Sequence, residues 1–262
     1  VTGPSQLLRP LAARYADWLG LPAEEAALPE AAPDQVRAMP VILHMEKADP
    51  PGRTPLLEAA ASAALAVCLV DRAQPGGEWY EPVQDWIGGH IRKLARRARG
   101  AHWRAAAALP GVTVTVDGAE VRALVPGRVV DAPREVARLQ ISGSELPPDE
   151  PGPPPADVPV LYLNPEVAMT VGKAAAQVGH GTMLLAALLP DDELAGWSSR
   201  GYRCAVRTPT VARWKALHPG DDPGAAWHDR RVVAVRDAGF TEVDPGTVTV
   251  LAQWPRQTTP AP

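Results

Sequence analysis

Short valine-rich runs alternate with longer alanine-rich ones through the second half of the chain. Val160-Leu-Tyr-Leu163, Arg231-Val-Val-Ala-Val-Arg236 and Thr247-Val-Thr-Val-Leu-Ala252 have the length and β-branched content of strands, and Pro245-Gly246 breaks the chain between the last two. Gly172 to Leu189 is a run of good helix formers, bounded by Asn164-Pro165 before it and Pro190 after it, and predicts one helix. Strand-like runs recur upstream at Val41–His44 and Val112–Val116. Leu7, Leu8, Leu11, Tyr15, Trp18 and Leu19 fall at helical spacing and predict an amphipathic N-terminal helix that packs on a domain, ahead of a proline-rich stretch to Pro40. Pro147 to Pro159 is too rich in proline and acid for regular structure and reads as a linker, and the residues from Pro255 on read as a loose tail.

The polar residues on these elements carry the candidate chemistry. Lys173, Gln177 and His180 stand at i, i+4 and i+7 of the predicted helix, so they share one face of an otherwise small, apolar rod. A lysine in the first turn also meets the positive end of the helix dipole, which a carboxylate or phosphate would offset. Asp237 is positioned to do so, because it ends a strand and opens the Asp237-Ala-Gly239 turn. Ligands in open α/β sheets gather outside the carboxyl ends of strands, where helix N-termini also open.

Together, Met169-Thr-Val-Gly-Lys173-Ala-Ala-Ala-Gln177-Val-Gly-His180-Gly, the strand Val160–Leu163 and the stretch Asp237-Ala-Gly-Phe-Thr241-Glu-Val-Asp-Pro245-Gly-Thr-Val-Thr-Val-Leu-Ala252 resemble the type 2 peptidyl-tRNA hydrolase family. The resemblance covers about residues 158 to 255 and implies metal-free hydrolysis of the ester between a peptide and the 3′ end of tRNA, with no cofactor. It also implies a catalytic cluster of Lys173, Asp237 and Thr241, with Gly172, Gln177, His180 and Gly239 beside it as substrate-binding residues. Two departures concern the substrate: the run before the helix has one basic residue fewer than in many members, and Phe240 stands where many have arginine. Ester hydrolysis develops an oxyanion, which a fixed ammonium at a helix N-terminus stabilises. Lys173 is expected in that role, Asp237 as its orienter or as proton acceptor, and Thr241 as the holder of water or ribose.

The first half echoes the second. Trp86 and Trp197, Arg92 and Arg203, Arg96 and Arg207, and Trp103 and Trp214 are each 111 residues apart. Such a common offset predicts an internal repeat. The expected organisation is a helical extension over 1–38, a diverged hydrolase-like domain over 39–146, a linker over 147–157, the catalytic domain over 158–255 and a tail over 256–262. The fold class is α/β, two similar domains with small mixed sheets arising by tandem duplication. Aligning Ile42 with Leu161 sets Thr54, Glu58 and Ala61 opposite Lys173, Gln177 and His180, and leaves Asp117 as the one surviving polar residue. Because domains of this family commonly pair, the first copy is expected to replace the partner, giving a monomer that acts as an intramolecular pseudo-dimer.

The chain of 262 residues has a formal net charge of −4, which argues against indiscriminate nucleic-acid binding. Arg92, Lys93, Arg96, Arg97, Arg99 and Arg104 nevertheless form a local basic strip suited to a tRNA backbone, and Arg92, Lys93, Arg96 and Arg97 are candidate substrate contacts. Neither a membrane span nor a secretory leader is visible, so a cytoplasmic location and a role in translation are expected. Cys68 and Cys204 lack metal-ligand spacing and are expected as buried thiols, and no metal site is predicted. Three other readings remain: a non-catalytic module that binds the tRNA end, an acyltransferase from aminoacyl-tRNA to a small amine, or a purely structural or partner-binding protein.

Overall fold

The structure, a computed structural model, describes residues 5–26, 32–141, 145–239 and 242–255. Helices α1 (Ser5–Gly20) and α2 (Ala23–Ala26) precede a first unit of β1 (Arg37–His44), α3 (Arg53–Leu69), α4 (Tyr80–Gly88), β2 (Lys93–Ala98), α5 (Gly100–Ala107), β3 (Gly111–Val116), β4 (Ala119–Leu124), β5 (Gly127–Arg128) and α6 (Arg134–Ala137). A second unit follows: β6 (Val160–Leu163), α7 (Val171–Leu188), α8 (Asp191–Ser198), β7 (Ala205–Arg207), α9 (Val211–Leu217), α10 (Pro223–Arg230), β8 (Val232–Arg236) and β9 (Val248–Gln253). Each helix and strand expected from the hydrophobic pattern is present. The stretch from Pro147 to Pro159 has no regular element, but it is tethered: Asp149 accepts from the Thr54 amide and hydroxyl at the start of α3, and Gly152 O accepts from Arg207. The expected tail, 256–262, lies outside the described residues.

The two sheets have the same plan. Strands run β2-β1-β4-β3 in one, with β5 beside the start of β1, and β7-β6-β9-β8 in the other. In both, the first pair is parallel and the remaining pairs along that path are antiparallel. The tryptophans of the 111-residue spacing make matching hydrogen bonds, Trp86 Nε1 to Arg92 O at 3.0 Å and Trp197 Nε1 to Arg203 O at 2.8 Å.

Strand register corrects the alignment drawn from sequence. Val41 lies opposite Ala95 and Leu161 opposite Val206, so Val41, not Ile42, is the counterpart of Leu161. A one-residue slip turns a strand side chain to the other face. Val41 and Leu161 both join the central core, whereas Ile42 packs with Trp103 on the outer side of its sheet. Val112 opposite Ala123 corresponds likewise to Val233 opposite Ala252, which puts Val116 at the place of Asp237. Asp117 sits one residue further, exposed in the β3–β4 hairpin with φ 45°. It does not occupy the carboxylate's place.

Helices α3 and α7 form a shared middle layer between the sheets. Nearly all of α3 is buried, as its apolar circumference requires. Small residues let the two backbones approach: Thr182 Oγ1 donates to Ala61 O at 2.8 Å, and a Cβ on Gly179 would sit 2.9 Å from Ala64 Cβ. Both contacts map onto each other when 61 is matched with 179 and 64 with 182, a constant shift of 118 and the signature of a local two-fold. That shift sets Pro55, Ala59 and Ser62 opposite Lys173, Gln177 and His180, replacing the assignment of Thr54, Glu58 and Ala61. One continuous core spans both units. Among the described residues no helix is long and apolar enough to cross a membrane.

The close approach predicts that Gly179→Val wedges α7 from α3, lowering stability by roughly 1–3 kcal/mol in urea unfolding. An unchanged midpoint would show that the two helices have room to spare.

Candidate functional site

The site is assembled at the N-terminus of α7 and the C-terminal end of β8. Thr170 caps α7, its Oγ1 accepting from Lys173 N at 3.2 Å, and is itself held by Glu242, which accepts from the Thr170 amide at 2.9 Å and hydroxyl at 2.6 Å. At the other edge the backbone of Asp237 is fixed on both sides, its N–H donating to Thr247 O and its carbonyl accepting from Gly246 N, each at 2.8 Å. Gly239 has φ 76° and donates its N–H to Asp237 Oδ1 at 2.7 Å. A Cβ there would come 2.6 Å from the Pro245 ring, so the turn that presents the carboxylate requires glycine on both steric and conformational grounds.

Asp237 gathers the stripe of α7. Lys173 Nζ lies 2.5 Å from Asp237 Oδ2, and Gln177 Nε2 donates to the same oxygen at 2.7 Å. Thr249, fully buried on β9, donates to Gln177 Oε1 and fixes the amide's direction. Both members of the ion pair are nearly enclosed, with side-chain exposures of 9% and 6%. Removing one partner from such a pair leaves a buried charge, at about 3–5 kcal/mol. The carboxylate expected to offset the lysine at the helix start is therefore Asp237.

His180 points elsewhere. Its Nδ1 accepts from Lys93 Nζ at 3.1 Å, and Lys93 comes from β2 of the first unit. Burial first, then the charges of Lys93 and Lys173, hold the imidazole well below its ordinary pKa, so the ring is neutral near pH 7. Burial also lowers the Lys93 ammonium to about 7, against a small opposing effect of Cys68. The ammonium lies 5.1 Å from the centre of the Trp86 ring.

A cavity of about 410 Å³ joins these groups. Lys173, Gln177, His180 and Asp237 line one wall, Arg92 and Lys93 another, and Leu11, Tyr15 and Trp18 of α1 a third. Helix α1 is anchored on both sides of it. Arg14 donates to the carbonyls of Ile87, Gly88 and Gly89, Tyr15 Oη accepts from Ala234 N at 2.8 Å, and Arg236 donates to the carbonyls of Trp18, Leu19 and Leu21. A second hollow of about 460 Å³ by α9 and the linker, with Arg213, Arg230 and Trp254 on its walls, holds none of the expected site residues.

Lys173, Gln177, Asp237 and Gly239 are thus brought together, with Gly172 on the cavity wall. Thr241 and Phe240 lie outside the described residues. The basic strip does not form one surface: Arg96 donates to Ala137 O and Leu139 O, Arg97 to Gln140 Oε1, and only Arg92 and Lys93 of the strip reach the cavity. Alternation along β2 explains the split between Lys93 and Arg96. Sequence reasoning missed Thr249, whose residue type is the default in a strand, and the wall contributed by α1, for which Tyr15 and Trp18 on an apolar stripe were a faint signal. Cys68 and Cys204 are buried free thiols, as expected, each raised to about 12 by burial.

Residues 158–260, a stretch that covers the second unit, match the family described as peptidyl-tRNA hydrolase PTH2. No curated protein matches the chain. At the level of the family, the match is to hydrolases that act on peptidyl-tRNA.

The sign of the Lys93 shift gives a stability test. Its folded pKa lies below its unfolded one, so the unfolded chain holds the extra proton between about pH 7 and the ordinary lysine value of 10.5. The penalty for burying the ammonium is complete below that window and vanishes as pH rises through it. Lys93→Met is expected to be more stable than wild type near pH 6, by roughly 2–4 kcal/mol, with the difference shrinking towards pH 10 in denaturant titrations. A pH-independent difference would contradict the burial of a charge there.

Proposed function

We propose that the second unit hydrolyses the ester between a peptide, or an N-blocked amino acid, and the 3′ end of tRNA, releasing free tRNA. The observation that carries this reading is the Lys173–Asp237 pair, braced by Gln177 and open to a cavity at a helix N-terminus, within the segment that matches the family. Water attacks the acyl carbonyl carbon, charge develops on its oxygen, the bond to the ribose oxygen breaks, and that oxygen takes up the proton that the attacking water gives up. The Lys173 ammonium stabilises the developing negative charge. Asp237 is a positioning residue: Oδ2 receives Lys173 and Gln177 and Oδ1 receives the Gly239 amide, which leaves little of the carboxylate for a water proton. Thr241 is assigned the attacking water or the ribose hydroxyl.

The first unit, on this reading, is a diverged copy that replaces a partner subunit. The shared strand order, the matched tryptophan hydrogen bonds and the two-fold relation between α3 and α7 support it. It carries none of the chemistry, since Pro55, Ala59, Ser62 and Val116 stand at the places of Lys173, Gln177, His180 and Asp237. A chain with both halves present acts as a monomer in the cytoplasm, with tRNA as its partner.

Single-turnover release from N-acetyl-aminoacyl-tRNA is expected for the wild type and not from the unblocked substrate, and Lys173→Ala is expected to slow it about 100-fold or more. Tight binding without release would make the chain a tRNA-end binder, and release only on addition of a small amine would make it a transferase. Light scattering is expected to return one chain mass, 27.8 kDa; a two-chain mass would refute the pseudo-dimer.

A further inference from the structure

We propose that Lys93, delivered by the first unit into the second unit's chamber, is an anion seat, and that the anion it holds is the phosphodiester next to the terminal nucleoside of the RNA 3′ end. The proposal rests on the reading above for the identity of the substrate.

Lys93 is a buried cation of an unusual kind for this chain. Two other enclosed cations have carboxylates: Lys173 has Asp237, and Arg207 has Glu58 at 2.9 Å. Lys93 is 8% exposed, and among the described residues no carboxylate reaches its ammonium. One of its three N–H groups goes to His180 and the face of Trp86 lies near; the remaining donors have the cavity before them. A buried ammonium without a counter-charge is unfavourable, and an entering anion removes that deficit.

The fold does not need a lysine there, and the molecule contains its own control. Shifting Lys93 by 111 gives Cys204, and shifting His180 back by 118 gives Ser62; these two lie 3.9 Å apart, the two-fold counterpart of the Lys93–His180 contact. On that side Glu58 reaches in, accepting from Val206 N at 3.0 Å and from Arg207. The counterpart of Glu58 under the same shift of 118 is Ala176, which lines the cavity. A carboxylate side chain fills one side; a methyl group opens the other, and the lysine faces the opening. Gly179 completes the arrangement, since a Cβ there would come 3.1 Å from Lys93 Cε.

The surroundings favour a phosphodiester over a lone inorganic ion. Arg14 and Arg92 also border the cavity, while its acidic members are engaged, Asp237 by Lys173 and Glu242 by Thr170. Trp18, Ile91 and Leu184 provide an apolar wall for a base or ribose. At about 410 Å³ the chamber admits the end of a nucleic-acid strand and excludes a duplex stem. The released acyl carboxylate is the other anion that chemistry could bring to Lys93, so the test separates the two.

Titration calorimetry on the full chain, wild type and Lys93→Met, would use the dinucleotide CpA, adenosine and N-acetylalanine. CpA is expected to bind the wild type about tenfold more tightly than adenosine, and to lose about that factor in Lys93→Met while adenosine is unchanged. Cys68 on α3 and His180 on α7 are beside Lys93, and Arg14, His90, Arg92, Lys173, Asp237 and Glu242 line the same cavity. Burial lowers the Lys93 ammonium to about 7, so CpA affinity should fall from pH 6 to pH 9 more steeply in the wild type than in Lys93→Met, which keeps every other group of the cavity. Equal CpA binding by both proteins, or none by the wild type, overturns the proposal, and a loss confined to N-acetylalanine overturns the phosphodiester assignment. Ester turnover is assayed separately, so Lys93-dependent CpA binding without turnover would sink the hydrolase reading and leave the anion seat, while turnover without such binding would do the reverse.

Discussion

The close contact of α3 with α7 is the constraint on which the rest of the molecule depends. Each unit has one small sheet, of five strands in the first and four in the second, with a helix on its inner face, and neither helix is amphipathic enough to face water there. Their alanines and glycines let the two backbones approach until a threonine hydroxyl of one meets a carbonyl of the other. The hydrophobic gain is non-directional, but the absence of a Cβ at Gly179 sets how near the helices come and at which register. From that register follow the single core and the arrival of β2 beside α7.

A chain of polar contacts then fixes the chemistry against this frame. Glu242 holds Thr170, Thr170 caps α7, Lys173 and Gln177 of α7 hold Asp237, and Thr249 of β9 holds Gln177. The buried members of this chain, Gln177, Asp237 and Thr249, each have a partner, which is the condition under which a buried polar network rigidifies a site. The network ties a helix start to two strands, so the ammonium is held from both sides of the cavity mouth.

The two halves share a plan and differ in what occupies it. On one side of the two-fold, Glu58, Ser62, Cys204 and Arg207 close the space with hydrogen bonds and an ion pair. On the other, Ala176, His180 and Lys93 leave a chamber that α1 covers. Only the open side keeps charged groups beside unfilled volume.

Local chemistry made much of this legible in advance. The elements follow from valine-rich and alanine-rich periodicity and from the prolines that bound them, and the Lys173–Gln177 stripe and the Asp237-Ala-Gly239 turn are short-range patterns whose meeting could be anticipated from where helices start and strands end. The common spacing of Trp86 and Trp197 needs no structure to count, and the two indoles make matching hydrogen bonds. Register did not follow, because a one-residue slip leaves a run such as Val41-Ile-Leu equally apolar. Nor did the meeting of Lys93 with His180, the turning of Arg96 and Arg97 towards the Ala137–Gln140 segment, or the roof of α1, all of which join residues far apart in the chain. The sequence by itself determined which elements form and which side chains share a face, since those depend on neighbours a few residues away; only the tertiary structure decided which faces meet, because that depends on the shape of two whole surfaces packed together.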